Sequence, residues 1–164
     1  MAEECEPKWE GKAIVEVAGT SAELVWPLLE DFCNLHKLIP LDTCYQVEGI
    51  QGQPGLIRYC ASSTKGVTSP TIMWVKEKLL TIDPIQRCLS YEVVDNNMGF
   101  KSYVSTQKVL PINGDDANLG LGCKIEWGFV SDPVEGWRFQ DLNSYIESSL
   151  QFMAKKIELS MIST

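Results

Sequence analysis

The chain has 164 residues, 45% of them hydrophobic and 22% charged, which is enough apolar material for one domain with a sizeable core. A formal charge of −8 and an isoelectric point near 4.7 argue against a phosphate-tracking nucleic-acid binder and against docking on an anionic membrane. No apolar run approaches the length of a membrane span, and no glycine-rich phosphate loop is present.

The first stretch, "MAEECEPKWEGK", is acidic and has no apolar core of a signal peptide. A cytoplasmic protein is expected, with a nuclear location also compatible. Residues 1–8 read as a flexible N-terminus and residues 9–164 as a single domain. In "KWEGKAIVEVAG", Ala13, Val15 and Val17 alternate with Lys12, Ile14 and Glu16, which predicts a first strand. Thr20 with Glu23 three residues later reads as a capping box that starts a helix. Pro27 is expected to kink that helix or divide it into two pieces. "FCNLHKLI" continues helically to Pro40. It contains His36, the only histidine, expected as a packing or surface residue. With one histidine, a Ser-His-Asp or Cys-His site has a single possible base, and a zinc site would need several cysteines brought together. No metal and no cofactor are expected.

Strands follow in series: "TCYQVEGI", "GLIRYCASS", "TIMWVKEKLLTI", "RCLSYEVV", "KSYVSTQKVLPI" and "LGCKIEWGFVSD". Turn signals such as "DPIQ" and "DNNMGF" separate them, and "NGDDANLG" reads as a loop. Strands joined by short turns predict an antiparallel meander. "WRFQDLNSYIESSLQFMAKKIELSMI" then places Leu142, Ile146, Leu150 (or Ser149), Met153, Ile157 and Met161 on one helical stripe. That is a helix of roughly 25 residues, about 38 Å long. The expected class is α+β: a seven-stranded curved antiparallel sheet around a long C-terminal helix, with two short helices. A bent sheet against a straight helix leaves room for an internal cavity. Phe139, Tyr145 and Phe152 on that helix are candidates to line it.

Two charges break the apolar pattern. In "MWVKEKLL", Glu77 shares a strand face with Met73, Val75 and Leu79. In "GLIRYC", Arg58 shares one with Leu56 and Cys60. Two outcomes are open. A twist or bulge can turn Glu77 to water while Arg58 snorkels to a sheet edge. Alternatively the two charges pair inside, because a lone buried charge costs several kcal/mol. A paired guanidinium and carboxylate suit a site, the first to hold an oxygen-bearing group and the second to accept a proton. Tyr103 can add a hydroxyl. Cys60 becomes a nucleophile only if its pKa is lowered. The six cysteines (Cys5, Cys33, Cys44, Cys60, Cys88 and Cys123) contain no C-x-x-C and are expected to be free thiols.

"VWPLLEDFCNLHKLIP", "GLIRYC", "WVKEKLLTID" and "LSYEVV" together resemble the plant polyketide cyclase/START-like (Bet v 1-type, SRPBCC) superfamily. Within it they are most similar to lachrymatory-factor-synthase-like proteins, from about Trp9 to the last helix. The resemblance implies a helix-grip fold. It implies a catalytic pair at Arg58 and Glu77, and a pocket tyrosine at Tyr103. A second pocket tyrosine of the synthase, two positions after Tyr91, is Val93 here, and the "STKGVTSP" connection is longer and unlike it. The gate and latch motifs of the abscisic-acid receptors are absent. The expectation is therefore binding or transport of a small hydrophobic or amphipathic ligand in contact with Arg58, Glu77, Tyr91, Val93 and Tyr103. The alternative is a cofactor-free isomerase or lyase, with Glu77 transferring a proton and Arg58 binding an oxyanion or sulfenate. A ligand-gated interaction module is a further alternative; a protein partner is left undecided.

Overall fold

The computed structural model describes residues 7–63, 71–112 and 122–162. Residues 1–6 of the expected flexible N-terminus, residues 64–70 of the long connection and the loop at 113–120 lie outside the described residues. β1 (Trp9–Ala18) follows the alternation, with Ala13 and Val17 buried. After it come α1 (Ala22–Glu30) and a 3-10 segment (Phe32–Lys37). Next are β2 (Thr43–Glu48), β3 (Ile57–Ser63), β4 (Ile72–Asp83), β5 (Cys88–Asn96), β6 (Val104–Pro111) and β7 (Gly122–Ser131). α2 (Phe139–Ile162) closes the chain.

The seven strands form one antiparallel sheet in the order β1-β7-β6-β5-β4-β3-β2. β2 to β7 are a meander, as the turn signals predict. β1 is the exception, pairing with β7 from Trp9 opposite Ser131 to Ala18 opposite Gly122. β1 and β2 are therefore the two edges, bridged in sequence by α1 and the 3-10 segment.

The helical region differs from expectation in three details. The N-cap of α1 is Ser21, not Thr20: Ser21 has extended backbone angles (φ −84°, ψ 160°), and its hydroxyl accepts the Leu24 N–H at 3.4 Å. Thr20 turns inward after Gly19 (φ 77°), and its buried hydroxyl has no partner among the described residues. Pro27 does not break α1. It lies on the exposed side, as does Glu23 one turn earlier, so water can serve the carbonyl that proline leaves unpaired. The break comes at Asp31 (ψ 69°), whose N–H donates to the Pro27 carbonyl at 3.2 Å. "FCNLHKLI" is then a 3-10 turn instead of an α-helix reaching Pro40, because Asn34 (φ −113°, ψ 33°) leaves helical geometry.

β6 also starts later than expected. Ser102 takes a left-handed φ of 53°, so Tyr103 sits just before the strand. Its carbonyl still accepts the Val93 N–H at 3.0 Å and anchors it to β5. The turn after β2 depends on Gly49, at φ 97°, where a Cβ would meet the Leu56 Cα at 2.6 Å. Both backbone strain and the clash oppose a side chain there. Gly49→Ala is expected to lose about 1–3 kcal/mol in chemical denaturation; a loss within a few tenths would show that the turn can relax.

From the stripe read in the sequence, α2 buries Leu142, Ile146, Leu150, Met153 and Ile157 against β1 and β7, while Met161 is only partly buried. Each such side chain contributes about 1.5–3 kcal/mol by burial. Asp141 caps the start of α2 by accepting the Arg138 N–H at 2.7 Å. Near the other end, Glu158 Oε2 accepts the Ala18 N–H at 2.7 Å and ties α2 to the end of β1.

Candidate functional site

Register brings the two breaks in the apolar pattern together. In the β3–β4 pairing Arg58 stands directly opposite Glu77. Arg58 Nε donates to Glu77 Oε1 at 2.8 Å, with Arg58 only 3% and Glu77 only 7% exposed. Arg58 Nη1 donates to the Phe32 carbonyl at 2.8 Å. The guanidinium carbon lies 3.8 Å from the centroid of the Phe32 ring and 4.9 Å from that of Tyr91. Aromatic faces are a favourable environment for a desolvated cation. Burial is the largest influence and works against the charge on Arg58, but the Glu77 carboxylate together with Cys60, Tyr91 and Cys44 outweighs it and raises the guanidinium pKa above its ordinary value. The inward option of the sequence reading is the one realised.

Register shifts in the β4–β5 pair keep the site facing inward. Lys76 pairs with Asp95 but Glu77 pairs with Val93, so Val94 is bulged outward and exposed. A second shift between Leu79 and Thr81 makes Leu80 the extra residue. Between them, Glu77, Leu79, Tyr91 and Val93 share the concave face.

A cavity of about 100 Å3 lies there. Glu77, Tyr91, Val93 and Tyr103 line it; Arg58 does not and sits one layer behind Glu77. Cys60, Met73, Val75, Phe100 and Trp127 extend the wall from the sheet side, and Leu142, Tyr145 and Ile146 from α2. Of the helical aromatics proposed as lining, only Tyr145 takes that role. Phe139 packs on Trp9 and Phe129, with ring centroids 6.3 Å apart in each pair, and Phe152 is exposed.

Polar groups gather at one end. Burial, and secondarily the Glu77 charge, push the Tyr91 hydroxyl well above its usual pKa. Burial does the same at Tyr103, opposed in part by a hydrogen bond with Ser105. Both are neutral phenols at neutral pH and can donate. Ser105 donates to the Gly128 carbonyl at 2.9 Å and accepts the Trp127 indole N–H at 2.6 Å, which fixes the wall beneath them. Among the described residues, Glu77 Oε1 is engaged by Arg58, and no cluster of histidine, cysteine and carboxylates could hold a metal ion. The arrangement offers a hydrogen-bond acceptor, phenol donors and apolar walls.

Ser105, Trp127 and Phe32 are absent from the sequence-based site. Ser105 had a readable signal: it shares the strand face of Gln107 and Val109, all three buried. Phe32 had none, because it acts on Arg58 through its carbonyl and ring across a tertiary contact.

A curved antiparallel sheet gripping a long C-terminal helix over a cavity defines the Bet v 1-like helix-grip class. The chain belongs to the polyketide cyclase/dehydrase and lipid transport family, whose sequence model matches residues 9–158. Solved structures share the fold. Major latex-like protein 151 of Panax ginseng aligns with a TM-score of 0.69 at 21% identity, covering 93% of this chain and 97% of the other. XoxI of Bacillus cereus gives 0.67 at 18%, covering 93% and 95%. A Thermobifida fusca protein solved in solution gives 0.67 at 20%, covering 88% and 90%. No helix among the described residues is long and apolar enough to cross a membrane.

Proposed function

We propose that the protein binds a small, largely apolar molecule carrying a hydrogen-bond donor, with Glu77 as the acceptor at the polar end of the cavity. The observation that carries this reading is the placement of Glu77. Its carboxylate reaches the cavity wall while Arg58 pairs with it from behind, so an acceptor stands at the wall of an otherwise largely apolar chamber. The chamber, about 100 Å3, is well below the roughly 300–1,000 Å3 of drug-sized sites, so a small ligand is favoured. Arg58 acts on the ligand through Glu77. Its field and position matter, and a salt bridge to the ligand is not required.

The test compares small alcohols with hydrocarbons of the same shape, by calorimetry on wild type and Glu77→Gln. A hydrogen bond to a charged acceptor contributes about 1.5–3 kcal/mol, or roughly 10–150-fold in affinity. The alcohols should lead by that margin in wild type, and the lead should shrink in Glu77→Gln protein that circular dichroism shows to be folded. Equal binding of alcohol and hydrocarbon by wild type would sink the proposal.

A second reading is favoured by the neutral phenols of Tyr91 and Tyr103 beside the same carboxylate. A base flanked by proton donors is suited to moving a proton between two atoms of one substrate, which supports a cofactor-free isomerase or lyase of the lachrymatory-factor-synthase type. An alkenyl sulfenic acid generated in situ is the probe. Thial S-oxide formation by wild type and its loss in folded Glu77→Gln would establish turnover; no product with wild type leaves binding alone.

A further inference from the structure

Three of the chain's cysteines meet at the edge of the sheet, outside the carboxylate chemistry described above. Cys44 on β2 and Cys60 on β3 are direct register partners, and their sulfurs lie 3.4 Å apart. The Cys44 thiol also donates to the Cys33 carbonyl at 3.2 Å. Cys60 faces the cavity and forms part of its wall. Cys44, 9% exposed, packs beneath the 3-10 segment. We propose that Cys44 and Cys60 are a redox-active dithiol that closes to a cross-strand disulfide under peroxide.

Geometry is the main argument. Opposed residues of antiparallel strands have Cα separations of about 4.5–5.5 Å, inside the range of about 4.4–6.8 Å that a disulfide spans. The sulfurs must close by about 1.4 Å to reach bonding distance. β2 is an edge strand held by β3 alone, so it can make that adjustment without disturbing a second ladder.

The surroundings fit a shared proton. A hydrogen bond from Cys60, then the Arg58 charge, the Leu35 backbone N–H and the His36 side chain lower the Cys44 thiol, against desolvation. The same hydrogen bond and burial raise Cys60. The Cys33 carbonyl opposes ionisation of Cys44 but is a single neutral acceptor set against these donors.

The chemistry balances with hydrogen peroxide as oxidant. The Cys44 thiolate attacks one peroxide oxygen; an S–O bond forms, the O–O bond breaks, and the departing hydroxide takes a proton to become water. Cys60 then attacks the Cys44 sulfenic sulfur; an S–S bond forms, the S–O bond breaks, and the second water leaves. Two thiols and one peroxide become one disulfide and two waters. The Cys44 proton that served the Cys33 carbonyl is lost in the process, next to the residue whose carbonyl holds Arg58. Oxidation therefore acts on the support of the carboxylate site as well as on the cavity wall.

The full chain, folded and without denaturant, is treated with hydrogen peroxide, quenched with N-ethylmaleimide and digested. The expected product is a peptide pair linked through Cys44 and Cys60, lighter by two hydrogens and released by dithiothreitol. Cys44→Ser and Cys60→Ser should each abolish that linked pair. The wild-type map decides the matter even if a variant folds poorly. No Cys44–Cys60 link, a link to Cys33 instead, or sulfinic acid on either sulfur without any link overturns the proposal.

Discussion

Arg58→Met is expected to lower the unfolding free energy by about 3–5 kcal/mol, because it strands the Glu77 carboxylate in a site 7% exposed. Urea denaturation followed by far-ultraviolet circular dichroism reads this directly. Glu77→Leu strands the guanidinium and should lose a similar amount. The informative protein is the double variant, Arg58→Met with Glu77→Leu. Replacing a buried pair with apolar groups is often close to neutral, so most of the loss should be recovered. Recovery stays incomplete, because the Phe32 carbonyl also loses its donor, a deficit of about 1–3 kcal/mol. If the double loss equals the sum of the single losses, the charges are not coupled and the pairing argument fails.

Phe32→Ala should have an effect of the same size, about 3–5 kcal/mol, since it empties a ring that is 1% exposed and packed against Tyr91. Part of that loss belongs to the cation. With the Arg58 carbon 3.8 Å from the ring centroid, desolvated stacking contributes about 2 kcal/mol. Phe32→Leu keeps most of the apolar volume and removes the aromatic face, so it should lose about 1–3 kcal/mol. A Phe32→Leu protein as stable as wild type would show that the ring serves only as filling.

Much of this architecture is written in local periodicity. The α2 stripe from Leu142 to Ile157 follows from helical spacing, and the meander from turn residues. Glu77 and Arg58 were visible as exceptions to alternation on neighbouring strands, and the family likeness selected pairing over exposure. Details that depend on backbone angles were harder to read. Ser21 and Thr20 are both good caps, and only extended backbone at Ser21 decides between them. The β5 bulge at Val94 has no sequence mark of its own, yet it sets which residue opposes Glu77. Arg58 was expected to touch the ligand. Its withdrawal behind Glu77 depends on Phe32, a residue distant in sequence whose carbonyl competes for the guanidinium. Sequence spacing does not link Cys44 to Cys60; the β2–β3 register joins them.

The pairing of β1 with β7 also bears on how the protein is expected to fold. The hairpins from β2 to β7 join neighbours in sequence and can form early. β1 must wait for a partner more than a hundred residues away, and closing a loop of that size carries a large entropic penalty before any contact repays it. The Ala18–Glu158 hydrogen bond then makes the docking of β1 and α2 a joint event. The cavity is therefore expected to acquire its roof late, which pulsed hydrogen exchange at α2 against β3–β5 would check. A nascent chain exposes the concave face of the meander, Glu77 included, until its final helix has been made.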